Sequence, residues 1–159
     1  MESRKYPVHI VAAGGFVINN ENQVLMLKSP RYDDWEFPGG QIEEGEIIPK
    51  GLEREVLEET GIVVRVKNLI GIYSNIGNPP IVNMDFLCEY ISGEPKTSNE
   101  SIDVKWVDRN EVLNLVERKV IRTRLQNMLE FSGEINYLAY SVNPNIKDLS
   151  YQEFENRKI

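Results

Sequence analysis

The sequence predicts an α/β fold, a sandwich built on a mixed sheet. Three observations carry that prediction. Apolar, β-branched runs recur at 8–18, 62–74 and 81–93. One helical stretch, 48–60, falls between the early and the later strands. Further helical sequence, 110–131, follows the strands of the second half. Strands set around one central helix, with helices near the end, need a sheet covered by helices.

The elements follow in chain order. "VHIVAAGGFVI", 8–18, reads as a mostly buried strand, and "NNENQ" after it as a turn, since Asn tolerates positive φ. "VLMLK", 24–28, is the returning strand of a hairpin. "SPRYDDW" is a polar loop, and "WEFPGG" a short strand stopped by Pro38 and two glycines. In the helix at 48–60, Pro49 suits the first turn and Gly61 the position past the end. Ile48, Leu52, Val56 and Leu57 form its apolar stripe. "IVVRVKNLIGIYS" and "IVNMDFLCEYISG" are strands joined by a loop at "NIGNPP", and "DVKWVD", 103–108, is a shorter one. The segment 110–131 is helical with a break near Glu117. "INYLAYSVN", 135–143, is a late strand, and the last dozen residues read as a tail or short helix, with the stretch from Phe131 onward open as an edge strand, a lid or a dimer contact.

Composition bounds the function. The 159 residues suffice for one domain with a real core. A formal net charge of −7 argues against a nucleic-acid surface. No run approaches the ~18 apolar residues of a membrane helix, so no membrane partner is expected, and the N-terminus carries no secretory pattern. The single cysteine, Cys88, cannot form an internal disulfide, which fits a cytoplasmic location. We read Cys88 as a core thiol, His9 as a structural strand residue, and Trp35 and Phe37 as core or pocket wall.

The stretch "REVLEETG", 54–61, carries the chemistry. Glu55, Glu58 and Glu59 share a helix face, and the pair at i,i+4 repels by ~0.2–0.5 kcal/mol even when exposed. They sit near the helix C-terminus, where the dipole disfavours anions. A solvated charged face is the ordinary explanation of such a run. Three converging carboxylates beside the glycine-rich "PGGQIEEGE" instead offer hard oxygen ligands for Mg²⁺, with Mn²⁺ able to substitute. No nearby Cys or second His favours a softer metal.

Residues 40–62, "GQIEEGEIIPKGLEREVLEETGI", resemble the Nudix box. Its specified positions are Gly40, Glu46, Arg54, Glu55, Val56, Glu58, Glu59, Gly61 and Ile62, and every one matches. Chance agreement at all of them is roughly a one-in-many-millions event per start point. Two free positions depart from habit: Ile47 stands where a polar N-cap would help, and Gly51 where the family commonly has Ala.

The resemblance implies an α/β/α sandwich and one domain over 1–159, with its core at about 7–130 and a C-terminal strand and tail at 131–159. It implies hydrolysis of a nucleoside diphosphate linked to another group, by water attack on phosphorus with a divalent metal organising the diphosphate. Glu55, Glu58 and Glu59 are the implied metal ligands, and the Gly39 carbonyl completes the shell. Arg54 is implied to orient the carboxylates through Glu46. Family members take their general base from the box or from a distant loop, and here the two candidates are Glu55 and Glu100. A prolyl segment near Pro79 and Pro80 resembles one carried by some ADP-ribose-hydrolysing relatives. The competing reading is a Nudix-like nucleotide-binding or regulatory module that turns nothing over. Dimers are common in the family, so a homodimer stays open beside a monomer.

Overall fold

The computed structural model describes residues 5–142 and 151–159. Among them run nine strands: β1 (Ile10–Ile18), β2 (Gln23–Ser29), β3 (Asp34–Glu36), β4 (Gly39–Gln41), β5 (Val63–Asn75), β6 (Ile81–Ser92), β7 (Asp103–Asp108), β8 (Asn136–Ser141) and β9 (Gln152–Lys158). Helix α1 spans Ile48–Thr60 and α2 Lys119–Leu129, with a 3-10 turn at Val112–Leu115 before α2.

The sheet is mixed. Its order is β3-β2-β1-β6-β5-β8-β9, with β4 also on β1 and β7 also on β2. The β1–β6 and β5–β8 pairs are parallel. The other pairs, β1–β2 and β5–β6 among them, are antiparallel.

Strand alternation explains the layers. Val24, Leu25, Met26 and Leu27 are all fully buried, as in a strand covered on both faces. Val24 and Met26 join Phe16, Ile70, Tyr73 and Leu138 under Ile121, Leu125 and Met128 of α2. Leu25 and Leu27 join Val17, Cys88 and Val104 under Leu52 and Val56 of α1. The two helices therefore cover opposite faces, completing the expected α/β/α sandwich.

Helix α1 has the expected bounds. It starts at Ile47 with no side-chain cap and ends at Gly61, whose φ of 75° suits glycine and whose N–H bonds Leu57 O. The apolar stripe is narrower than expected. Leu57 is 49% exposed, because at 100° per residue it turns away from the Leu52–Val56 line. Thr60 takes the next buried position, its hydroxyl donating to Val56 O at 2.5 Å.

Three other readings change. The glycines of "WEFPGG" do not end the chain's extended run. They open β4, which pairs antiparallel with β1 as Gly14↔Gly39 and Ala13↔Gly40. His9 is exposed and lies just before β1 rather than within it. The tail is a strand, not a helix: β9 pairs antiparallel with β8. Nothing local in "QEFENRK" announces this strand, since none of its residues is buried; it forms by adding to an existing edge. The parts of these readings on residue 143 and residues 148–150 lie outside the described residues.

Candidate active site

The site is built where β4 meets the C-terminal half of α1. Gly39 sits so close to β1 that a Cβ would come 2.1 Å from Ala13 O. That close approach lets the Gly39 N–H donate to Glu59 Oε2 at 2.8 Å. Gly40 is restricted by space as well, because a Cβ there would lie 2.4 Å from Glu55 Oε2. The two glycines thus press bare backbone against two carboxylates.

Arg54 organises the charges. Its Nε and Nη2 donate to the two oxygens of Glu46 at 2.7 and 3.0 Å, a bidentate pair. Nη1 donates to Glu55 Oε1 at 2.9 Å and to Glu58 Oε2 at 3.0 Å. Glu46 also accepts from Glu43 N at 2.9 Å, which closes the glycine-rich loop on the carboxylate that Arg54 holds to the helix. Gly51 has a purpose here: a Cβ would fall 2.6 Å from Glu46 Oε2, so Ala at this position would crowd the carboxylate that holds Arg54.

Glu100 arrives from the loop between β6 and β7. Two bonds hold that loop to the end of α1, and a third braces it internally. Ser101 Oγ donates to Glu59 O at 2.6 Å, Lys96 N donates to Thr60 O at 2.8 Å, and Glu100 N donates to Ser98 Oγ at 3.1 Å. Sequence reasoning missed Ser98 and Ser101; a serine three residues from another in a polar loop was the available signal.

Among the described residues, oxygens of Glu55, Glu59 and Glu100 lie within 4.8 Å of one another. Glu58 stands outside this group. Its side chain is 58% exposed and lies on Arg54. Gly39 enters the site through its N–H. The donor set is all carboxylate oxygen, as a hard divalent cation requires, so these residues fit one.

The electrostatics follow from burial. Glu59 is only 7% exposed, and burial, reinforced by Glu36, Glu55 and Glu100, pushes its carboxyl up to about 8 against the Gly39 hydrogen bond. Burial also raises Glu55, with Arg54 opposing. The Arg54 hydrogen bond holds Glu46 down at about 2. Glu59 therefore binds a proton more tightly folded than unfolded. Its contribution to the stability of the metal-free protein is complete below about 4.5 and is lost as pH rises to about 8. The expected slope reaches about 1.4 kcal/mol per pH unit. Urea melts in EDTA across that window measure it. Glu59→Gln is expected to flatten the slope, and an unchanged slope would place the titration elsewhere.

Beside the carboxylates opens a pocket of about 130 Å³, lined by Ala12, Gly14, Glu36, Phe37, Asn83, Ile121 and Arg124, with Gly39 and Gly40 at its junction with the site. Arg124 donates to both oxygens of Asp85, at 2.9 and 2.5 Å, beneath it. Its guanidinium lies 4.8 Å from the Phe37 ring centre. Arg118 anchors the far wall, pairing with Asp34 at 3.2 Å and with Glu36. Of the residues read as core or pocket wall, Phe37 lines this pocket, and Trp35 packs half-buried against the core under α2 with Lys105 over its ring. No helix among the described residues is long and apolar enough to cross a membrane.

Comparison with known proteins agrees with this geometry. A family profile for the NUDIX domain matches residues 8–128. A protein of Streptomyces ambofaciens named MutT-like protein is 36% identical over 132 residues, covering 83% of this chain and 84% of its own. An ADP-ribose pyrophosphatase of Methanocaldococcus jannaschii is 30% identical over 130 residues, covering 75% and 76%. Among solved structures, a NUDIX hydrolase from Nitrosomonas europaea superposes with a TM-score of 0.74 at 25% identity, covering 85% of this chain and 81% of that one. A MutT protein from Bacillus halodurans gives 0.69 at 31% identity, covering 91% and 97%.

Proposed function

This chain belongs to the Nudix family and is a pyrophosphohydrolase acting on nucleoside diphosphate derivatives; from that premise we propose that it works with Mg²⁺ held by Glu58, Glu59 and Glu100, with Glu55 beside the cation as the general base. The carboxylate cluster of Glu55, Glu59 and Glu100 carries this reading. Glu58 is included because its pairing with Arg54 is an exposed one, worth only ~0.2–1 kcal/mol, and is given up cheaply. When bound, the cation neutralises the diphosphate and polarises its P–O bonds, which an acidic site alone would repel.

The chain's own groups do the rest. Glu46, through Arg54, holds Glu55 by one oxygen and leaves Oε2 beside Gly40. A carboxylate raised by burial and fixed at one oxygen is suited to take the proton of the attacking water at the other. Glu100, anchored through the Ser98–Ser101 turn, orients that water. The neighbouring pocket receives the group on the nucleoside side, with the Phe37 ring, Ile121 and the Asn83 amide as its contacts.

For the substrate we propose a nucleoside diphosphate joined to a second group, with ADP-ribose first, in view of the relative named for that activity. A panel of ADP-ribose, nucleotide sugars, dinucleoside polyphosphates and oxidised nucleoside triphosphates, with product identification, tests this. The expected result is Mg²⁺-dependent cleavage within the diphosphate, abolished by EDTA and restored by Mn²⁺. No hydrolysis across the panel would overturn the proposal.

A further inference from the structure

The sheet ends on a strand that folding leaves uncovered. Strand β9 pairs with β8 on one side, and among the described residues nothing pairs with the other. All seven of its residues are exposed, so neither face is buried by the chain's own layers. Phe154 and the adjoining Ile159 are 52% and 61% exposed. A strand with a free edge and no buried face is a ready template for another strand.

The outward groups can be assigned. Ile159 N donates to Ile135 O, so at the end of β9 the odd-numbered residues turn their backbone toward β8. Asn156 and Lys158 therefore point theirs away from the sheet. A register shift between Ala139 and Tyr140 leaves Phe154 without a partner on β8.

The charge pattern names the occupant. "QEFENRK" is acidic in its first half and basic in its second, so an antiparallel copy of itself is complementary. We propose that two copies of this chain associate through β9, antiparallel about a two-fold axis normal to the sheet, with Asn156 on the axis.

The register follows from like-charge exclusion. A two-fold normal to the sheet keeps each residue on its own face, so the axis must pass through one residue and its copy. Centred on Phe154, the pairing sets Glu153 against the partner's Glu155. Centred on Glu155 or on Arg157, it sets a charge against its own copy. Centred on Asn156, Glu155 faces the partner's Arg157 twice and Phe154 faces the partner's Lys158 twice. Within one chain, Arg157 Nε already lies 2.9 Å from Glu155 Oε1, so the two chains would build a square of four charges alternating in sign. Opposite charges directly across a strand pair stabilise it and like charges destabilise it. One short strand per chain makes a contact below the standard ~1,600 Å² interface, so the expected dimer dissociates on dilution.

Sedimentation velocity on the full chain across the micromolar range tests the proposal. The native chain is expected to show a concentration-dependent dimer. Glu155→Arg and Arg157→Glu, each alone, set like charges across the axis and are expected to raise the dimer Kd at least about tenfold. Mixed in equal amounts, the two variants restore every opposite-charge pair, and a heterodimer should form. Hydrolysis by each variant reports that it is folded. A native chain monomeric throughout, a variant that dimerises like the parent, or a mixture that stays monomeric would each overturn the assignment.

Discussion

Replacing Glu55 by Gln is expected to lower kcat on the order of 10³-fold, within the usual range for removing a general base. Gln keeps the shape and can still accept the Arg54 Nη1 hydrogen bond that Glu55 Oε1 accepts. It cannot take a proton at the other oxygen. Burial raises the Glu55 carboxyl above the usual carboxylate range, so the native enzyme should lose kcat on the acid side as that group protonates, and the variant should lack that limb. Glu100→Gln is the comparison. Its backbone N–H bonds Ser98 and its carboxylate completes the cluster, so its loss should weaken activity less and leave the acid limb in place. If Glu100→Gln falls further than Glu55→Gln, and takes the acid limb with it, the proton goes to Glu100. Far-ultraviolet circular dichroism of both variants should match the parent.

Much of this site was legible because its parts are close in sequence. The bounds of α1 follow from Pro49 and Gly61, and the Arg54–Glu46 pair spans only one loop and two turns of helix. The carboxylates were harder. Periodicity places Glu55, Glu58 and Glu59 on one face but does not say which of them is buried. That is decided by β4, whose Gly39 N–H draws in Glu59, while Arg54 draws Glu58 to the rim. Glu100 joined the group through a hydrogen bond between Ser101 and Glu59 O, a contact 42 residues apart in the chain. The same distance problem hid β9, which has no apolar alternation and forms only because β8 offers an edge. It hid the Asp34 carboxylate as well, which accepts the N–H groups of Glu117 and Arg118 at 3.0 Å and so stops the chain from running as one helix through 110–131. Local signals predicted a break near Glu117; the reason for it lay on the opposite side of the sequence.

Asp85→Asn is expected to be the most destabilising single change, at about 3–5 kcal/mol, because it strips a buried charge of its partner. The Asp85 and Arg124 side chains are 0% and 8% exposed, and the carboxylate takes two guanidinium N–H groups. Gly14 adjoins the pair so tightly that a Cβ there would meet Asp85 Oδ1 at 2.4 Å. The rings of Phe37 and Tyr73 lie 4.8 and 5.3 Å from the Arg124 guanidinium, and such contacts return only ~0.5–2 kcal/mol. Urea denaturation at neutral pH measures the loss. The double variant Asp85→Leu with Arg124→Met removes both charges, and most of the stability should return, since well-packed apolar groups often replace a buried pair without cost. Arg124 and Phe37 both line the pocket, so the double variant should also raise KM while kcat holds. An Asp85→Asn variant as stable as the parent would mean that the aromatic rings alone hold the cation, and the ion pair would then be a feature of the pocket rather than of the core.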